Sequence, residues 1–157
     1  MESFIRKVCI EDAESINHLS IQLGYKLSFQ ETTIQIKEVI HREDHCVFVI
    51  ILEGRLIGWI HGFEAIRIES KPFIEIAGMV VDENYRGKGA GRKLVDAMKE
   101  WSSSKGINKL RVRCNNKRLE THKFYSKIGF REVKEQKIFE VEISKDIPLQ
   151  DGDSIVV

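Results

Sequence analysis

From Gly78 to Arg92 the chain reads Gly78-Met79-Val80-Val81-Asp82-Glu83-Asn84-Tyr85-Arg86-Gly87-Lys88-Gly89-Ala90-Gly91-Arg92. A hydrophobic strand here passes through a glycine-rich turn into a helix. Three glycines in five positions let the backbone approach an anion, and the first N–H groups of the following helix have no partner of their own. Arg86, Lys88 and Arg92 add positive charge where those amides point. Whatever fold surrounds this stretch must bring a strand end, a tight turn and a helix N-terminus together, and such a junction binds phosphate. Spacing excludes two well-known glycine loops. A P-loop needs Lys and then Ser or Thr after its last glycine, but Gly91 is followed by Arg92 and Lys93. A dinucleotide fingerprint needs a third glycine where Arg92 stands, and it sits early in a βαβ unit.

A chain of 157 residues supports one domain with a sizeable core and is short for two. With 25 basic and 24 acidic residues its formal charge is +1, too small a field to gather nucleic acid or an acidic membrane surface. An anion site must therefore be local. Cys9, Cys46 and Cys114 are odd in number, widely spaced and in strand-like runs, which reads as buried free thiols in a reducing compartment, with no metal site. The first residues carry charge and no apolar core, and no run approaches the roughly 18 apolar residues of a membrane span. The expectation is a soluble, cytoplasmic protein.

Alternation over Phe4 to Ile10 predicts a first strand. Asp12 is placed to cap a helix with buried positions Ala13, Ile16, Leu19 and Leu23, stopped by Gly24. Ser28 and Glu31 form a capping box for a second helix with Ile36, Val39 and Ile40 inward. Cys46–Leu52 and Arg55–Phe63 around Glu53-Gly54 predict a β-hairpin. The charged segment Glu64 to Pro72 reads as a surface crossing into a third strand, Phe73 to Val81, in which Gly78 hints at a bulge. After the glycine turn, Leu94, Ala97, Met98 and Trp101 mark the buried face of a helix ending near Gly106, and Lys109 to Cys114 alternates as a strand. Asn115-Asn116 can cap a short helix closed by Gly129. Phe130 to Ile143 is strand-like again, and 144–157 reads as a tail or an edge strand.

Read as Arg-x-x-Gly-x-Gly, the residues Arg86, Gly89 and Gly91 resemble the pyrophosphate loop of the GNAT family of acyl-CoA-dependent N-acyltransferases. A second stretch, Asn115-Asn116-Lys117-Arg118-Leu119-Glu120-Thr121-His122-Lys123-Phe124-Tyr125-Ser126-Lys127-Ile128-Gly129-Phe130, is similar to the family's Asn-x-x-Arg-x-x-Ala-His-x-Phe-Tyr-x-x-x-Gly-Phe segment, with Thr121 replacing alanine. The two motifs stand in the family's order, with the expected elements between them, and the resemblance runs from about Phe4 to Ile143. It implies an α+β (mixed α/β) fold, a central mixed but mostly antiparallel sheet flanked by helices, forming a single domain over 1–143. Asp44-His45 and Gly58-Trp59-Ile60-His61 further resemble members of the aminoglycoside 6′-acetyltransferase kind.

The resemblance implies acetyl-CoA as cosubstrate, lined by the backbone of Met79, Val80 and Val81 and by the loop Arg86, Gly87, Lys88, Gly89, Ala90, Gly91 and Arg92. Asn115 either bonds the pantetheine or caps its helix. An N–H near the Gly78 bulge would polarise the thioester. Tyr125 is the candidate acid for the departing thiolate, against an ordinary packing tyrosine. Glu75, an acid inside the apolar strand Phe73-Ile74-Glu75-Ile76-Ala77, is the candidate base, against a glutamate on a solvated strand face; His61 is the substitute. Tyr25, Trp59, His61 and Glu64, with Glu69, fall on the acceptor side, where aromatics and carboxylates suit a cationic amine. The implied activity is acetyl transfer to a primary amine by direct attack in a ternary complex, with an aminoglycoside, another small amine or a peptide amine as acceptor. The alternative is a non-catalytic acyl-CoA sensor. Homodimerisation through an exposed last strand is open.

Overall fold

The computed structural model describes residues 2–144. Its elements run β1 (Ser3–Lys7), α1 (Ala13–Gln22), α2 (Phe29–Ile40), β2 (His45–Leu52), β3 (Arg55–Arg67), β4 (Ser70–Val81), α3 (Ala90–Ser104), β5 (Leu110–Val112) and α4 (Leu119–Lys127). The five strands lie in the order β1-β2-β3-β4-β5, antiparallel except for the parallel pair β4 and β5. This is the α+β architecture expected from the sequence. Among the described residues no helix is long and apolar enough to cross a membrane.

Local chemistry accounts for most element ends. Ser28 Oγ accepts from the Glu31 N–H while the Glu31 carboxylate accepts from the Ser28 N–H, so two orphan donors of α2 are satisfied. Gly24 and Gly129 take positive φ after α1 and α4. Glu53 and Gly54, with φ of 50° and 76°, make the two-residue turn of the β2–β3 hairpin. Asp12 behaves differently from expectation. Its carboxylate accepts from Arg6 at 2.7 and 2.8 Å and from the Cys9 N–H, so it ties β1 to the turn before α1 and makes no side-chain cap on that helix.

Three expectations need correction. Glu64 to Pro72 does not cross the surface: β3 continues to Arg67 and β4 begins at Ser70, because cross-strand hydrogen bonds extend the pairing into a second hairpin. Asn115-Asn116 does not cap α4, whose N-cap is Arg118; Asn115 Oδ1 accepts from the Lys117 N–H in the preceding turn. Residues 131–144 form no strand, and Ile138, Phe139, Val141 and Ile143 stand exposed. The tail expected over 145–157 lies outside the described residues.

Apolar residues pack on both faces of the sheet. Ile50, Ile60, Ile74 and Ile76 bury against Leu94, Val95 and Met98 of α3. On the other face Val49, Ile51, Leu56 and Val80 meet Ala13, Ile16, Leu19 and Ile36 of α1 and α2. From Gly58 onward, past the bulge between β2 and β3, strand alternation sends even-numbered residues of β3 to α3, and Trp59, His61 and Phe63 to the α1–α2 face. That division positions the site.

Candidate active site

β4 is a strand with two halves. Pairing with β5 covers Ile74, Glu75 and Ile76 and then stops, while β4 runs on to Val81. Among the described residues no strand lies beside its β5-facing edge from Ala77 to Val81, so backbone donors and acceptors are left for an extended ligand. Against β3, His61 pairs with Gly78 and Gly62 with Ile76, so Ala77 is the extra residue of a bulge. The sequence hint at Gly78 was one residue away. Gly78 also lies under Trp59: a Cβ there would meet the indole at 3.1 Å.

The open edge leads into the glycine turn. Asp82, buried, caps it by accepting from the Asn84 N–H at 3.0 Å, and Arg55 lies 3.6 Å from the same carboxylate. Gly87 and Gly89 have φ of 76° and 86°, and nothing lies within 4 Å of where a Cβ at either would stand. The turn is therefore an open backbone concavity before the first amides of α3. Gly91 serves packing, since a Cβ there would be 3.0 Å from Phe124 on α4. Arg86 donates from Nε to the Val81 carbonyl and Lys88 rests over the Tyr85 ring. Arg92 is exposed on the first turn of α3. The motif thus combines a nest of amides with cations at its rim.

A cavity of about 300 Å³ lies between α1, α2 and the sheet, and its wall includes Tyr25, Trp59, His61, Ala77 and Gly78. Three of the five expected acceptor-side residues are therefore brought together, beside the bulge. Glu69, in the turn between β3 and β4, is not, and neither is Glu64. It is even-numbered on β3, so it faces α3 and lies 3.6 Å from Lys105 Nζ. Asn17, Thr32 and Gln35 line the cavity and escaped the sequence reading, although polar side chains beside the apolar stripes of α1 and α2 were the available signal.

His61 Nε2 lies 2.9 Å from His45 Nδ1, a hydrogen bond between two imidazoles, and His45 stacks on Phe63 with ring centroids 5.4 Å apart. Burial, reinforced by the neighbouring His45, pushes the His61 pKa down to about 4, and burial also lowers that of His45. Both rings are neutral at pH 7. With Nε2 committed to His45, Nδ1 is the His61 nitrogen left for a ligand.

Glu75 sits elsewhere. Its carboxylate accepts from Arg113 Nε at 2.9 Å and does not line the cavity. Tyr125 is buried on α4, edge-to-face with Phe124 and Phe130, and burial raises its pKa, with the Cys114 thiol adding to the shift. Its phenol stays protonated across the physiological range. Asn115 holds the turn before α4 through Oδ1, and its backbone carbonyl is 2.9 Å from His122 Nε2, so its amide group is what it can offer a ligand.

The chain matches the acetyltransferase (GNAT) family over residues 13–130. An N-acetylaspartate synthetase from Xenopus tropicalis is 27% identical over 118 residues, which are 75% of this chain and 41% of that protein. The chain spans less than half the length of the curated relatives it matches. Among solved structures, the aminoglycoside N-acetyltransferase AAC(6')-Iy in complex with CoA superposes with a TM-score of 0.82 at 18% identity, over 89% of this chain and 95% of that one. An acetyltransferase from Trypanosoma brucei gives 0.72 at 27% identity, over 89% and 100%.

Proposed function

The chain belongs to the acetyltransferase (GNAT) family, and from that premise we propose that it transfers the acetyl group of acetyl-CoA to a primary amine by direct attack. One observation carries the reading: the glycine nest, the unpaired edge Ala77–Val81 and the bulge at Ala77 form a continuous track that ends at the His61 cavity. The nest and the N-terminus of α3 suit a pyrophosphate, the strand edge suits the amides of pantetheine, and the bulge backbone suits the thioester oxygen.

In the reaction the amine nitrogen forms a bond to the thioester carbon and the C–S bond breaks. An ammonium gives up two protons in becoming an amide: one goes to the CoA sulfur and the other to solvent. Tyr125, protonated and buried, is placed in the role of donor to the departing sulfur. His61 takes the role of acceptor, because it lines the cavity with a neutral Nδ1 while Glu75 is bound to Arg113 outside it. His45 positions His61 by holding its other nitrogen. A ring with a pKa near 4 cannot strip a free alkylammonium efficiently. It can take the proton after attack, when bonding to the acyl carbon makes that nitrogen far more acidic.

CoA release with acetyl-CoA and a panel of amines, against a control without acceptor, tests the activity. Gly89→Asp is expected to abolish CoA binding, because it puts a strained side chain and a negative charge in the nest. Calorimetry showing unaltered binding would remove the loop from the site.

A further inference from the structure

Among the described residues, the wall of the cavity contains no Asp, Glu, Lys or Arg. Its side chains are mostly aliphatic or aromatic, and much of the polar remainder is already engaged. Asn17 Nδ2 donates to the Leu27 carbonyl at 2.7 Å and to Thr32 Oγ1 at 3.0 Å, and Ser20 Oγ donates to the Ile16 carbonyl at 2.7 Å. The carboxylates nearest along β3 and β4 have basic partners, Glu64 with Lys105 and Glu75 with Arg113. What remains for a ligand is His61 Nδ1, the Gln35 amide, the Tyr25 hydroxyl at the exposed rim and the indole N–H of Trp59, buried with no partner among the described residues.

Such a wall discriminates among amines by charge. A monoamine can shed its only charge on entry, and its body then replaces water against apolar side chains, gaining roughly 25 cal/mol for each Å² covered. Each further ammonium of a polyamine or aminosugar that enters this cavity lies against its wall without a counter-charge, which costs several kcal/mol. The volume, about 300 Å³, is at the small end for ligand cavities and suits one ring or a short branched chain.

We propose, building on the acetyl-transfer reading, that the acceptor is a small primary monoamine with an apolar body, of the arylalkyl or branched-alkyl class, and not a polycation. The amine nitrogen faces His61 and the bulge, and the apolar body lies between Trp59 and the α1–α2 helices.

Two readouts separate this inference from the reading beneath it. Trp59 and Trp101 are the chain's two tryptophans, so Trp101→Phe leaves the cavity indole as the sole reporter of amine binding. In that background 2-phenylethylamine should quench or shift Trp59 fluorescence at a concentration about tenfold or more below that needed for spermidine. Spermidine or kanamycin binding as tightly as 2-phenylethylamine overturns the proposal, whether or not acetyl transfer occurs. CoA release is followed in parallel in the wild-type chain. If 2-phenylethylamine binds selectively and releases no CoA, the substrate class stands and the transfer reading falls. Gln35→Glu, nearly isosteric on the exposed side of α2, places a carboxylate in the wall. It should narrow the monoamine preference several-fold, and an unchanged ratio would show that amines bind somewhere else.

Discussion

At the scale of single residues, the proposed chemistry rests on two side chains, which can be tested separately. Tyr125→Phe keeps the edge-to-face packing with Phe124 and Phe130 and removes only the hydroxyl. Turnover should fall about 10²-fold, the lower end for a general acid because a thiolate leaves readily, with the KM for acetyl-CoA nearly unchanged. Loss of acetyl-CoA affinity at normal turnover would make Tyr125 a packing residue. His61 has a signature in stability. Its folded pKa of about 4 lies below the ordinary value of 6.5, so the unfolded chain takes up a proton before the native one does. Its contribution is complete above about pH 6.5 and is lost as pH falls from there through 4, to a total of roughly 3 kcal/mol. Urea unfolding at pH 7 and pH 5 should show this slope, and His61→Gln should flatten it; an equal slope in the variant would place the titration elsewhere. The candidacy of Tyr125 was legible because it sits in a motif. The preference proposed for His61 over Glu75 was not, since it turns on Arg113, 38 residues away, and on a hairpin register that brings His45 to His61.

At the scale of elements, what the sequence disclosed was what short-range chemistry decides. The capping box at Ser28 and Glu31 and the turn at Glu53-Gly54 need only neighbours, and both formed as read. The β3–β4 hairpin was missed because Glu64, Arg67, Glu69, Lys71 and Pro72 look like a solvated connector, whereas cross-strand pairing carries β3 to Arg67 and starts β4 at Ser70, leaving only Ile68 and Glu69 as the turn. Packing between strands was equally hidden. Gly58 reads as a weak point in a strand, yet a Cβ there would stand 2.9 Å from the Val80 carbonyl oxygen and 3.3 Å from Leu94. The first contact is backbone, so relief means parting β3 from β4 where β4 carries its open edge. Gly58→Ala should therefore destabilise by about 1–3 kcal/mol, although alanine normally favours ordered backbone over glycine. Chemical denaturation measures this directly, and a neutral or stabilised variant would mean that the two strands are not held at this spacing.

At the scale of the whole molecule, the sheet among the described residues ends at a three-residue strand, and residues 131–144 carry the pattern of a strand without forming one. Phe139, Val141 and Ile143 alternate with Glu140 and Glu142, so one face of residues 139–143 is apolar, and Phe139 and Ile143 are 89% and 92% exposed. Among the described residues β5 pairs on one side only, with β4. An unpaired edge and an unpaired apolar segment in one molecule are complementary, and a second copy can supply each to the other in an isologous pair. A formal charge of +1 offers little repulsion against that association. Sedimentation at micromolar concentration should therefore show a dimer, and Phe139→Glu with Val141→Glu should return it to monomer by putting charge on the apolar face. A wild-type monomer at every concentration would mean that the segment finds its edge within its own chain. Retained CoA binding by the double variant would then separate assembly from the site, whose loop, bulge and cavity all lie between residues 16 and 91.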